Sequence, residues 1–456
     1  MTAAPVAAPA SDYLAIRDGP ILPTLVSLTL PNLVALCSAA IVTIAETAYV
    51  GRLGLNALGG VALVFPMIML MQMLSAGAMG GAISGAVSRA LGAGDEARAQ
   101  ALATTAGAIG LTAGLFFASS IWLFGPHIFR LLGGAGAIAD EAARYSNVAA
   151  FGILAIWLVN CLAAVARASG NMKLPSAISL AAGVLQITIG GVLGLGIGPA
   201  PALGVAGVAS GQATAFSLSA IVLILYLRSD RSRIKLLVQP RLLSRARFMD
   251  ILRVGLPATL FPLQSVAGIL ILTALAARFG PEALAGYGIG TRLEFLLIPV
   301  AFSVGIACLP MVGTAIGNNA IARARRIAWT AGSLAFCALA VLGAIVIIAP
   351  DLWARLFTSD RAVREATHGY LQIAGFGFPF FGLGTCLYFA SQGAGRVGGL
   401  IAAQTLRLVV IAVGGAALSA AGAPLWTLFA LAMLGMLVLG LGAAAAVYFT
   451  PWTVRR

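Results

Sequence analysis

The sequence predicts an all-α integral membrane protein, with twelve transmembrane helices in two parallel repeats of six. Three observations carry this prediction. Apolar residues make up 60% of the chain and charged residues 9%, with a mean hydropathy of +1.01; a soluble domain usually carries about 25% charged residues. Twelve apolar stretches approach the roughly 20 residues that cross a bilayer as a helix, starting near residues 23, 57, 99, 145, 174, 204, 250, 283, 325, 367, 397 and 424. Finally, the second half of the chain repeats the first.

The repeat is visible residue by residue. Pro31 matches Pro257, Thr47 matches Thr273, Arg52 matches Arg278, and Gly54 matches Gly280, with Ala57 and Leu58 on Ala283 and Leu284. After one residue is lost, Gly92 meets Gly317, Ala97-Arg98-Ala99 meets Ala322-Arg323-Ala324, and Thr105-Ala106-Gly107 meets Thr330-Ala331-Gly332. The later register brings Gly152 onto Gly377, Cys161 onto Cys386 and Gly170 onto Gly395. Each copy holds six helices, an even number, so both insert in the same orientation as parallel repeats about an axis along the membrane normal. A cavity between two matched lobes is the expected consequence.

Charge sets the topology. Of 28 Lys and Arg residues, nineteen fall in the N-terminal tail, alternate loops or C-terminal tail: Arg17, Arg89, Arg98, Arg167, Lys173, eight from Arg228 to Arg253, Arg323, Arg325, Arg326, Arg396, Arg455 and Arg456. The positive-inside rule makes that side cytoplasmic, with both termini on it. The net charge of +14 is thereby a topology signal, and no nucleic-acid partner is expected. Residues 1–20 form a cytoplasmic tail; Asp12, Arg17 and Asp18 interrupt it, so it does not read as a cleaved signal peptide. The N-lobe covers 21–228, a basic cytoplasmic linker 229–249, the C-lobe 250–450, and a cytoplasmic tail 451–456.

Turn residues join the helices, as in Leu91-Gly92-Ala93-Gly94-Asp95 and Gly198-Pro199-Ala200-Pro201, so neighbouring helices are antiparallel. The 55 glycines suit a membrane bundle, where small residues let helices approach. Gly77, Gly81 and Gly85 form one smooth stripe, read either as packing within a lobe or as a sliding contact. Pro66, Pro257, Pro262, Pro299, Pro310 and Pro379 are expected to kink their helices. Cys37, Cys161, Cys308, Cys337 and Cys386 lie in apolar segments without CxxC spacing, so apolar packing is expected, with no disulfide and no metal site.

Function should show where polar groups enter the apolar runs. Only Glu46, in helix 1, and Glu294, in helix 8, are acids set well inside them. A carboxyl group there is costly unless it is protonated, paired or facing a cavity, which marks an ion or substrate path. The repeat equivalent of Glu46 is Leu272, so that acid belongs to one lobe alone. For Glu46 the competing reading is a solvated position near the outer interface, and for Glu294 an internal ion pair with Arg407, the one strongly intramembrane base. Snorkelling towards the cytoplasm is the other reading of Arg407. Asn160, Gln186 and Gln264 are candidate amide linings or helix glue.

Helix 2 carries Met67, Met69, Met71 and Met73, and helix 10 carries Phe376, Phe378, Phe380, Phe381, Tyr388 and Phe389. Thioethers and aromatic faces suit apolar or cationic ligands, but alternation spreads them around a helix, so at most half of each set faces one cavity. Met67, Met71, Phe378 and Tyr388 are the candidates taken forward. The sequence has no GxxxxGK[ST] phosphate loop, HExxH pair or GxSxG elbow, and His127 and His368 are isolated, so no enzyme activity is expected.

Taken together, Leu30-Pro31, Glu46-Thr47-Ala48-Tyr49-Val50-Gly51-Arg52-Leu53-Gly54, Ala90-Leu91-Gly92-Ala93-Gly94, Gly204-Val205-Ala206-Gly207-Val208-Ala209 and Gly393-Ala394-Gly395-Arg396 resemble the multidrug and toxic compound extrusion (MATE) family, in order and spacing, over almost the whole chain after residue 20. The resemblance implies a V-shaped pair of six-helix lobes that exports amphipathic or cationic compounds in exchange for H⁺ or Na⁺. The family usually has Asp where Glu46 stands. In helix 5 it often has Asn followed four residues later by Asn or Asp; here the pair is Gln186 and Gly190. One branch carries a helix-7 acid near Gln264 and Ser265, others an acid where Glu294 stands, and the helix-10 acid of some members has no counterpart among residues 376–389.

The expected protein is therefore a secondary active antiporter of a bacterial inner membrane, a monomer among membrane lipids, with small-molecule substrates and no cofactor beyond the coupling ion. Glu46 and Glu294 are its candidate coupling residues. Gln186, Asn160, Gln264, Arg407, Met67, Met71, Phe378 and Tyr388 are its candidate substrate contacts. The rival reading is a lipid-linked saccharide flippase of the same superfamily, whose pyrophosphate substrates call for a basic cavity; here only Arg407 and Arg292 offer one. A membrane enzyme or receptor is a third.

Overall fold

A computed structural model describes residues 11–237 and 239–452. The ends of the expected tails, residues 1–10 and 453–456 with Arg455 and Arg456, lie outside the described residues. Among the described residues every regular element is helical. Twelve helices are long and apolar enough to cross a membrane. In the first half these spans are Ile21–Leu53, Leu55–Gly92, Glu96–Leu131, Ala137–Ala168, Lys173–Leu195 and Val205–Arg228 (spans 1 to 6). In the second they are Arg245–Ala277, Pro281–Gly317, Ile321–Ile348, Arg361–Ala394, Gly398–Ala420 and Leu425–Phe449 (spans 7 to 12).

The chain divides into two compact units, one of Met1–Gly19 with Leu30–Gly255, the other of Pro20–Thr29 with Leu256–Arg456. Within each, the fourth helix of the repeat is the central post. Span 4 packs against spans 2, 3 and 6, and span 10 against spans 8, 9 and 12. Most of the apolar window is buried in both, as expected of helices that are apolar all round. The repeat also fixes turns: Gly54 (φ 112°) and its equivalent Gly280 (φ 103°) both adopt a positive φ, a conformation glycine adopts without steric cost. Asp95 starts span 3 by accepting from the Arg98 amide at 2.9 Å, and Asp360 starts span 10 by accepting from the Val363 amide at 3.0 Å, the usual device for satisfying free helix N–H groups.

The prolines divide into two groups. Span 7 breaks between Ala258 and Leu260, next to Pro257. Span 10 is interrupted by a 3₁₀ turn at Gly375–Gly377, with Pro379 in the first turn of the resumed helix. Pro66, Pro299 and Pro310 sit inside helices that run on unbroken, and Pro262 lies in a first turn, where its missing N–H costs nothing. Span 2 instead departs from α geometry seven residues beyond Pro66, in a π-helical segment at Met73–Met79. Gly77, Gly81 and Gly85, the expected stripe, are all buried in this half of span 2. All five cysteines are free; Cys161, Cys308 and Cys386 are buried and Cys37 and Cys337 exposed.

The polar linker is strapped to the first unit. Within the segment read as a tail, Ser11–Asp18 forms a helix. Its Tyr13 hydroxyl donates to the Leu91 carbonyl (2.9 Å), and the Arg233 guanidinium lies 3.8 Å from the Tyr13 ring centre while bonding Glu96 at 3.0 Å. Burial raises the Tyr13 phenol above its ordinary pKa. Thr104 donates to the Leu237 carbonyl at 2.7 Å, and Arg98 pairs with Asp250 at 2.8 Å. On the exposed side of the linker, the Lys235 amine 2.5 Å from Asp230 holds that carboxyl below its usual pKa.

Candidate functional site

In the first unit, spans 1 and 5 approach along small residues. A side-chain carbon added at Gly183 would lie 3.0 Å from Val42, and one at Gly191 2.9 Å from the Tyr49 ring. Between these two contacts Gln186, buried at 6% exposure, donates from Nε2 to Glu46 Oε1 at 2.7 Å. A hydrogen bond to a charged group is worth about 1.5–3 kcal/mol; here it fixes the carboxyl against span 5. Glu46 is half-buried, and Gln186 stands where the family resemblance places an Asn.

Gly190, where the resemblance would place a second polar group, lies in a seam of glycines. Spans 5 and 6 carry facing small-residue pairs, Gly190 with Gly194 and Gly207 with Gly211. An added carbon would lie 3.2 Å from the Val208 carbonyl at Gly190, 2.5 Å from the Gly190 nitrogen at Gly211, and 2.3 Å from the Leu193 carbonyl at Gly207. Spans 5 and 6 therefore meet backbone to backbone, tightest at Gly207 and Gly211 and looser at Gly190. Gln212, next to this seam, is buried with its Oε1 unpartnered.

Two further groups complete the N-lobe neighbourhood. Tyr145 of span 4 is 4% exposed, within Coulombic range of Glu46 and in the same apolar cluster as Val64 and Ile68, against which Met67 packs. Met71 is buried. Asn160 lies elsewhere: it donates to the Ser75 hydroxyl at 2.8 Å and so ties span 4 to the π-helical segment of span 2.

In the second unit the Tyr370 hydroxyl donates to Glu294 Oε1. Gly290, one turn before Glu294, makes room for it, since a side-chain carbon there would collide with the Tyr370 ring. Tyr287 and Phe429 meet that ring edge-on, with centroids at 5.2 and 5.3 Å. The Glu294–Arg407 pair, the competing reading of Glu294, is not formed among the described residues. Tyr370 is the partner of Glu294, while Arg407, 8% exposed and within Coulombic range, has neither Nε nor Nη1 hydrogen-bonded. Nor does Arg407 snorkel, being buried in span 11. Arg292 is exposed, its guanidinium 5.5 Å from the Phe357 ring centre.

Gln264 and its neighbours stitch span 7 to span 11. Gln264 donates to the Thr405 hydroxyl and Gln404 to the Ser265 hydroxyl, each at 2.8 Å, and the Oε1 atoms of both glutamines stay unpartnered. Phe378 is fully enclosed in the C-lobe core. Tyr388 is also enclosed, stacked on Phe261 at 4.1 Å and donating to the Ala258 carbonyl at 3.0 Å. Residue-type reasoning missed Tyr145, Tyr370 and Gln404. Register could have found the first two, because the shift that matches Gly152 with Gly377 also matches Tyr145 with Tyr370.

Twelve candidate membrane spans in two repeats, with a half-buried carboxyl group bonded to a neighbouring helix in each, define a polytopic membrane protein. The family model MatE matches residues 31–192 and again 261–418, once per repeat, and the chain belongs to the MatE family. It is 24% identical over 377 residues to a probable multidrug resistance protein NorM of Thermotoga maritima, covering 82% of this chain and 80% of that one. It is 25% identical to an FAD transporter of Shewanella oneidensis over 69% of this chain and 70% of the relative. The fold matches a MOP superfamily transporter from Pyrococcus furiosus described as having a binding pocket of reverse polarity, with TM-score 0.88, 21% identity, and 96% and 98% of the two chains covered. It also matches an outward-facing multidrug resistance MATE transporter, with TM-score 0.85, 20% identity and 97% of each chain covered.

Proposed function

We propose that this protein is a cation-coupled antiporter that exports amphipathic, cationic organic compounds, with H⁺ or Na⁺ returning through Glu46. The observation that carries the reading is the bond from Gln186 to Glu46, which holds one carboxyl group between two membrane spans of the first unit. A carboxyl at that depth has two useful states, neutral and charged, and its neighbours are arranged to hold it in place. The relatives named as multidrug resistance proteins support the substrate class. Glu294 with Tyr370 is the corresponding site of the second unit. Both termini and the linker lie in the cytoplasm of a bacterial inner membrane.

Exchange requires the coupling ion and the substrate to bind against each other. By linkage, each then weakens the other's binding by the same factor. Glu46→Gln, which keeps the shape of the neutral acid, should abolish gradient-driven export in proteoliposomes and flatten the pH dependence of substrate binding. Imposing the pH and Na⁺ gradients separately identifies the coupling ion. Normal export by Glu46→Gln would overturn the proposal.

One observation favours a second reading. Arg407 is buried with free donors, and an anionic substrate would satisfy them; the FAD-transporting relative and the flippase alternative share this chemistry. A pyrophosphate-bearing substrate that competes for binding in wild type and not in Arg407→Met would favour it.

A further inference from the structure

At the end of the second unit away from the linker, spans 8, 10 and 12 and the turn before span 8 line an open cleft of about 420 Å³. Three aromatic residues line it, Phe279 in the turn between spans 7 and 8 and Trp426 and Phe429 at the start of span 12, together with two carboxylates, Glu282 of span 8 and Glu365 of span 10. The volume lies within the roughly 300–1,000 Å³ usual for small-molecule pockets.

We propose that this cleft is a second binding site, for an organic monocation carrying aromatic rings, separate from the carboxyl group at Glu46. A cation over an aromatic face gains from the ring quadrupole, and a carboxylate beside it gives the attraction a sign. Trp426 and Phe279 are 59% and 40% exposed, so they present faces to a ligand, whereas Phe429 is buried and forms the floor. Glu282 is exposed. Glu365 is held only by Arg361 at 2.8 Å, in a pair whose side chains are 64% and 88% exposed. A pair that open contributes little, and a ligand cation can take the place of Arg361.

The floor gives the cleft a connection inward. Phe429 meets the Tyr370 ring edge-on, and Tyr370 donates to Glu294. One aromatic wall therefore separates the cleft from the membrane-embedded carboxyl group of the same unit.

The choice of a cation as ligand rests on the antiporter reading; the cleft itself does not. The test is equilibrium dialysis of radiolabelled tetraphenylphosphonium against purified full-length protein carrying Glu46→Gln, without any gradient. Binding should persist in that background and weaken at least tenfold on adding Glu282→Gln and Glu365→Gln together. Trp426→Leu should weaken it severalfold by a route that leaves charge untouched. Tetraphenylborate, of the same shape and opposite charge, should fail to compete. Unaltered binding in the double carboxamide variant, or equal competition by tetraphenylborate, overturns the site whatever the transport assay shows. Charge-selective binding in a protein that exports no cation would retire the antiporter reading and leave the cleft standing.

Discussion

Tyr145 and Tyr370 occupy equivalent positions in the two repeats, and each faces a carboxyl group set inside an apolar run, Tyr145 that of Glu46 and Tyr370 that of Glu294. The acids themselves are not equivalent. Glu46 comes from span 1, the first of its repeat, and Glu294 from span 8, the second of its own. Where the first unit has Glu46 and Gln186, the repeat register puts Leu272 and Ile411 in the second, both buried in one apolar cluster. Duplication supplied a tyrosine on each central helix, and divergence brought an acid to it from a different neighbour.

Tyr370→Phe tests that arrangement. It removes the donor to Glu294 and keeps the ring that packs on Gly290, Tyr287 and Phe429. A lost hydrogen bond to a carboxyl group predicts a cost of about 1.5–3 kcal/mol if the group stays charged and about 1 kcal/mol if it is neutral. Thermal unfolding in detergent at several pH values separates the cases. No loss at any pH would mean that the hydroxyl does not hold Glu294 in the working protein.

Arg407 gives a prediction of opposite sign. Its buried Nε and Nη1 atoms lack partners, and uncompensated buried charge is costly, while a well-packed apolar replacement is often neutral or stabilising by about 1–4 kcal/mol. Arg407→Met should therefore match or exceed wild-type stability when no ligand is present. It should also be tolerated alone, without Glu294→Gln, since the two residues form no ion pair. Melting temperatures of the two single variants and the double variant decide this; strong destabilisation by Arg407→Met, relieved by Glu294→Gln, would show a pair.

The twelve spans were legible because a bilayer forces runs of about 20 apolar residues, and composition alone locates such runs. Glu46 was legible for a related reason, as a carboxyl group with no apolar excuse. Its bond to Gln186 needed three dimensions, since the residues lie four helices apart in the chain. Tyr370 was hidden in a helix rich in aromatic residues, where a hydroxyl adds little to the pattern. The π-helical segment at Met73–Met79 has no marker in residue type, and Pro66, expected to kink its helix, lies seven residues before it in a helix without a break. The linker read as a solvated connection because its charges are obvious, whereas Ser232 and Ile234, buried in it, are not.

Topology yields a direct test. In a cysteine-free background, Arg231→Cys in the linker and Ala202→Cys between spans 5 and 6 are both at exposed positions. A membrane-impermeant maleimide added to intact cells should label Ala202→Cys and miss Arg231→Cys until the membrane is opened. The reverse pattern would invert the assignment of the linker to the cytoplasm.

The last prediction concerns the seam that shapes the Glu46 site. An alanine methyl at Gly211 would lie 2.5 Å from the Gly190 nitrogen and 2.6 Å from the Gln186 carbonyl, both backbone atoms that cannot rotate away. At Gly190 the nearest contact is looser, 3.2 Å from the Val208 carbonyl. Gly211→Ala must therefore push spans 5 and 6 apart, while Gly190→Ala needs only a few tenths of an ångström. Overpacking of this kind typically costs about 1–3 kcal/mol, so Gly211→Ala should fall towards the upper end and Gly190→Ala towards the lower. Because Gln186 sits on the displaced face, Gly211→Ala should also alter the pH dependence of substrate binding in the direction of Gln186→Leu, which removes the donor outright. Gly190→Asp, one of the two residues the family resemblance would place here, puts a longer side chain against the Val208 backbone and should lose more stability than Gly190→Ala without gaining transport. If Gly190→Asp instead folded as well as wild type and exported faster, spans 5 and 6 would have to part more easily than their glycine seam implies, and Glu46 would not be the sole acid that this unit can accommodate.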